Sequence, residues 1–128
     1  METSLSYLLC AEKVIRDETS KKFTYIDVFS KVFFPSNSEK ITHFFFVVGR
    51  VLSVKAGAIH VIILIKHSDG SIIASEDLSG NIQDGDLEIS AFFKLVEINK
   101  PGRYFLKAVV NGVELSDEAK FYFDVEQQ

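Results

Sequence analysis

The chain has 128 residues, enough for one domain, and its 47% apolar and 25% charged composition excludes a disordered polypeptide. A net charge of −4, with the basic residues scattered, excludes the basic face that nucleic-acid binders and proteins of anionic membranes carry, so no nucleic acid and no membrane is expected as a partner. A single cysteine, Cys10, excludes an internal disulfide and reads as a small buried apolar residue.

The first residues carry acidic Glu2 where a secretory leader has a basic region, and the apolar run Tyr7–Ala11 is too short for one. No stretch approaches the ~20 apolar residues of a membrane span. A cytoplasmic protein is expected.

Residues 5–16 mix two spacings, helical at Leu5, Leu8 and Leu9, and read better as a strand. Asp17–Lys22 is polar and reads as a turn. Phe23, Tyr25 and Ile26–Phe34 follow as a strand, bulged near Ser30-Lys31 and broken by Pro35-Ser36-Asn37-Ser38. Residues 42–54 form a further strand. Phe44 to Val48 are apolar at every position, which predicts a central strand covered on both faces. Ala58–Lys66, rich in β-branched residues, turns at Ser68-Asp69-Gly70-Ser71 and returns through Ile72–Ser75. Asp77–Asp86 holds Gly80 and Gly85 without periodicity and reads as a long loop.

The C-terminal third alternates most clearly. Leu87, Ile89, Ala91, Phe93 and Leu95 take one face of a strand over 87–98, and Tyr104, Leu106, Ala108 and Val110 one face of the next. Asn99-Lys100-Pro101-Gly102 reads as the turn of a hairpin between them. Asn111-Gly112 is the strongest two-residue turn signal in the chain. The last strand carries Phe121, Phe123 and Val125 and pairs with 104–110, with a bulge at Ser116-Asp117-Glu118. About eight strands and no helix predict one all-β domain over residues 1–128. It is a two-sheet antiparallel β-sandwich, immunoglobulin-like or jelly-roll-like. The expected core includes Phe93, Leu95, Tyr104, Leu106, Phe121 and Phe123.

Leu8-Leu9-Cys10-Ala11-Glu12, the segment KFTYIDVF from Lys22 to Phe29, Val32-Phe33-Phe34-Pro35, Pro101-Gly102-Arg103-Tyr104 and Val110-Asn111-Gly112 together give the chain a likeness. It resembles a family of small bacterial β-sandwich proteins of unknown function. The resemblance covers most of the chain and implies a bacterial cytoplasmic protein with a sandwich fold, and it brings no active-site residues. This chain departs from the pattern at Asp27, where a small residue is common.

Motifs that carry chemistry are few. His60 and His67 lie seven residues apart on one strand, roughly 23 Å, and on opposite faces, so they cannot share a metal. They and His43 read as surface or strand-end imidazoles. Asp84-Gly85-Asp86 with Glu76-Asp77 offers oxygens, but in no calcium-loop pattern. No Gly-x-Ser-x-Gly elbow or phosphate-binding glycine loop is present. No metal, no cofactor and no catalytic activity are expected.

Phe92 and Val96 fall in the register opposite Phe93 and Leu95, and Phe105 and Val109 in the register opposite Tyr104 and Leu106. Across a 99–102 hairpin these four would form one apolar stripe on an outer face. Lys94 and Lys107 would face each other beside it, and like charges in that position require an acid such as Glu88 or Glu118 nearby. Exposed contiguous apolar patches mark interaction sites. The expected function is a non-catalytic binding or assembly module using this face, toward a protein partner or as a homodimer. The alternative is a small-molecule or carbohydrate-binding sandwich with its site at the loops.

Overall fold

Period-two burial sorts the side chains of the long strands into two faces. In the strand Gly57–His67, Ile59, Val61, Ile63, Ile65 and His67 are buried, while the residues between them are exposed or half-buried. The computed structural model describes residues 2–34, 41–115 and 120–127. Its strands are β1 (Ser4–Arg16), β2 (Phe23–Phe29), β3 (Lys31–Phe34), β4 (Ile41–Val54), β5 (Gly57–His67), β6 (Ile72–Ile82), β7 (Gly85–Ile98), β8 (Gly102–Val110), β9 (Val113–Glu114) and β10 (Tyr122–Gln127). No helix occurs among the described residues, so none is long and apolar enough to cross a membrane.

The strands form two packed sheets, an all-β sandwich. The four-stranded sheet has the order β2-β1-β4-β7. The six-stranded sheet runs β3-β10-β8-β5-β6, with β9 paired to β8. All pairs are antiparallel except β3 with β10. Ser30, where a bulge was expected, is where the chain leaves the first sheet for the second.

Between the sheets lies an aromatic cluster. Phe45 contacts Phe29 at 5.4 Å, Phe123 at 5.8 Å and Phe93 at 6.1 Å between ring centroids, and Tyr104 stacks on Phe123 at 5.1 Å. Each such ring contributes about 1.5–3 kcal/mol by leaving water. Gly49 sits where β4 and β1 approach closely: a Cβ there would stand 2.8 Å from the Tyr7 carbonyl oxygen and 2.9 Å from Leu8 Cδ1.

Most sequence expectations hold. Residues 5–16 are strand, 17–22 turn through an Asp17 side chain that accepts the Thr19 and Ser20 N–H groups, and Cys10 is buried. Asn111 and Gly112 have φ of 47° and 83°, as a two-residue hairpin turn requires. β8 pairs with β10 through Phe105–Tyr122 and Tyr104–Phe123. The expected break at 35–38 and bulge at 116–118 lie outside the described residues.

Four expectations are corrected. Residues 77–86 are not a loop: they complete β6, which pairs with β5 through Ile82, and open β7. β6 is a sheet edge, so its polarity reflects solvent beside a paired strand. β7 and β8 are not a hairpin. β7 pairs with β4, and β8 lies between β5 and β10, so residues 99–101 carry the chain from one sheet to the other. Alternation tells which face is buried and is silent on which edge pairs. The third concerns Leu95, which is 72% exposed while Val96 and Ile98 are fully buried. Between the pairs Phe45–Phe93 and His43–Val96, β4 advances two residues and β7 three, a bulge that opposes Lys94 and Leu95 to the one residue Phe44. Beyond it every side chain changes face. Finally, β4 is central but not covered twice, since Phe44 is 61% exposed.

Candidate interaction surface

The four residues expected to form one stripe stand in three places. Phe92 is on the outer face of the four-stranded sheet, 44% exposed. Val96 is in the core, turned inward by the β7 bulge. Phe105 and Val109 are half-buried on the outer face of the other sheet, opposite Lys66 and Ile62 of β5. No contiguous stripe of these four exists, because β7 and β8 belong to different layers. Lys94 and Lys107 are likewise apart; Lys107 lies beside Leu64 and its Nζ meets Glu114 Oε1 at 3.0 Å.

In its place the fold gathers residues from four strands. Register aligns Val28, Ala11, Phe46 and Phe92 in one row across β2, β1, β4 and β7. Phe46 and Phe92 rings pack at 4.8 Å, and Phe44 reaches Phe92 at 6.4 Å. Leu95 stands beside Phe44 at the bulge. Val28, Phe44, Phe92 and Leu95 are exposed. The signal for Phe44 and Phe46 lay in the apolar run of β4, where they share the outward side with Val48.

The β1–β2 hairpin folds back over this same face. Tyr25 pairs in register with Val14, seven residues and roughly 23 Å along β1 from Tyr7. Yet the Tyr25 and Tyr7 hydroxyls are 2.8 Å apart, and each donates to Glu88 Oε2 at 2.8 Å. The hairpin therefore bends back on itself. Asp27 has φ of 55°, a conformation that Asp tolerates better than most residues, and it supplies a break in β2. Val48 faces away from the core cluster and is still fully buried, which the returning hairpin explains. Burial, foremost, and the neighbouring Glu88 carboxylate raise both phenols above their ordinary range. Arg50 balances Glu88 at 3.6 Å and donates to Asp86 at 3.1 Å.

The remaining polar groups serve the framework. Asp84 and Asp86 accept the N–H groups of Ala56 and Ser53, tying the β6–β7 turn to the β4–β5 loop. His60 is exposed beside Asp77. His67 stands at the end of β5, as a strand-end imidazole, but is buried: its Nδ1 accepts the Asp69 N–H at 3.0 Å, and its Nε2 lies 3.0 Å from the Pro101 carbonyl. Gly102, with φ of 128°, leaves no room for a Cβ against that ring. His43 is half-buried against Phe29 and Phe45, with Glu12 Oε1 3.4 Å from its Nε2. Burial pushes the Cys10 thiol far up, away from thiolate chemistry. Among the described residues no three His, Cys, Asp or Glu side chains come together as metal ligands.

No protein-family model matches the chain, and no curated protein matches it.

Proposed function

We propose that this domain is a non-catalytic assembly module that associates with a second copy of itself through the outer face of its four-stranded sheet. The observation that carries this reading is the outward aromatic row of exposed Phe44 and Phe92 with half-buried Phe46 between them, extended by Leu95 and Val28. Large apolar side chains in one contiguous outer patch are a cost to a monomer and a gain to a complex, at about 25 cal/mol per Å² buried. The row from Val28 to Phe92 carries no charge, and Lys94 stands exposed at its end beside Leu95, so a two-fold axis through the row has to hold the two Lys94 side chains apart. Two-fold dimers are the commonest soluble assemblies.

Sedimentation at about 100 μM tests it, since a dimer held by ~8 kcal/mol has a Kd near 1 μM. The wild type is expected to sediment as a dimer and the Phe44→Ser, Phe92→Ser double variant as a folded monomer. A wild type that stays monomeric overturns the reading.

A further inference from the structure

The lateral seam between β6 and β7, where the two sheets meet at their edges, is incompletely filled. Gly80 pairs with Ile59, and its neighbours two residues away, Leu78 and Ile82, pack inward against the core. Gly80 therefore occupies a position whose side chain belongs between the sheets. Its φ is not positive, so the backbone does not demand glycine. A Cβ there would meet no atom of the described residues within 4 Å. Gly80 itself is solvent-exposed on the edge strand, so this space is open on one side. It belongs to an open groove of about 260 Å³, walled by Ile59, Leu78, Ile82, Leu87 and Ile89. Phe23, carried in by the folded-back hairpin, forms part of its wall.

We propose that this seam is a binding site for a small uncharged apolar molecule, a ligand role separate from the aromatic face, none of whose residues Phe44, Phe46, Phe92 and Leu95 lines it. Glycine within a strand often marks the close approach of a ligand, and Gly80 keeps the floor of the groove open. An apolar cavity of about 150 Å³ admits benzene, so the seam has room for a chain of about six carbons. Charge selects the head group. Glu88 is the one charged residue among those lining the groove, and the chain is acidic overall, so a carboxylate is repelled. Both oxygens of Glu88 already face the tyrosine hydroxyls or Arg50, so a cation gains little there. Ser79 and Ser90 at the rim suit a hydroxyl or other neutral polar end.

Titration of the full chain with 1-hexanol, followed by the methyl resonances of Ile59, Leu78, Ile82 and Ile89, tests the proposal. Saturable shifts confined to those methyls are expected. Hexanoate at neutral pH is expected to bind at least tenfold more weakly. Gly80→Leu fills the groove and is expected to lower hexanol affinity at least tenfold. Gly80→Ala, which adds one methyl group in free space, is expected to remain folded and to lower affinity severalfold, so the test survives a misfolded leucine variant. Shifts that do not saturate, hexanoate binding as tight as hexanol, or unchanged affinity in a folded Gly80 variant would each overturn the site.

Discussion

The two outer faces of this sandwich are built from similar residues and have different surfaces. On the six-stranded sheet Ile62 lies beside Val109, Leu64 beside Lys107, and Phe105 between Lys66 and Tyr122. These apolar residues are half-buried. The Arg103 guanidinium lies 3.7 Å from the centre of the Tyr122 ring and also pairs with Asp124, and Lys107 pairs with Glu114. Long cationic side chains shield apolar surface with their stems while keeping their heads in water. On the four-stranded sheet the row Val28, Ala11, Phe46, Phe92 has no charged member, and two of its four residues are exposed. An outer face becomes a candidate binding surface through what lies between its apolar residues, more than through their number.

The largest effect expected from testing this contrast is at the β7 bulge. Ile98→Ala should cost about 2–5 kcal/mol, as a large-to-small change in a packed core, and Leu95→Ala less than about 0.5 kcal/mol. Urea denaturation compares the two. Equal costs would mean that the bulge is absent and the patch differently composed.

Next in size is the difference between faces in association. Phe44→Ser and Phe92→Ser should each weaken self-association at least tenfold with little loss of stability, whereas Phe105→Ser should leave association unchanged and lower the melting temperature. Sedimentation and thermal denaturation of the three variants check this.

How much of this was legible in the sequence follows from the same residues. Alternation placed Phe93, Tyr104, Leu106, Phe121 and Phe123 in the core, and they are there. It failed at Leu95 because a bulge is an insertion in one strand relative to its partner, and the partner of β7 is β4, which there lies 48 to 53 residues away (Phe45–Phe93 and His43–Val96). The stripe failed for a second reason: Asn99-Lys100-Pro101-Gly102 looks the same whether it closes a hairpin or crosses between sheets. Phe92 alone of the four predicted residues belongs to the exposed row. Phe44 and Phe46 were visible as an apolar run, but only the fold shows that the returning hairpin covers Val48 at one end of this side and leaves Phe44 exposed at the other.

The hairpin clasp gives a pH dependence of smaller size. Burial and Glu88 raise the Tyr7 and Tyr25 phenols above their unfolded value of about 10. A raised phenol favours the folded state while it remains protonated, so this contribution is fully present below about pH 10 and is lost as pH rises through the folded values. Thermal denaturation between about pH 8 and pH 11 should show a steeper alkaline loss of stability in the wild type than in Tyr25→Phe. Parallel profiles would contradict the clasp. The smallest effect is expected at Glu114→Ala, at most about 1 kcal/mol and reduced by salt, because the exposed Glu114 carboxylate keeps its pair with Lys107 partly in water.

The most direct test of the central claim is a dilution series from about 1 mM down to about 1 μM, where a dimer with a Kd of about 1 μM is half dissociated, read by the aromatic resonances of isotopically labelled phenylalanine. The account predicts concentration-dependent shifts at Phe44, Phe46 and Phe92 and none at Phe105. Shifts at Phe105 with none at Phe92, or no concentration dependence at any ring, would contradict it.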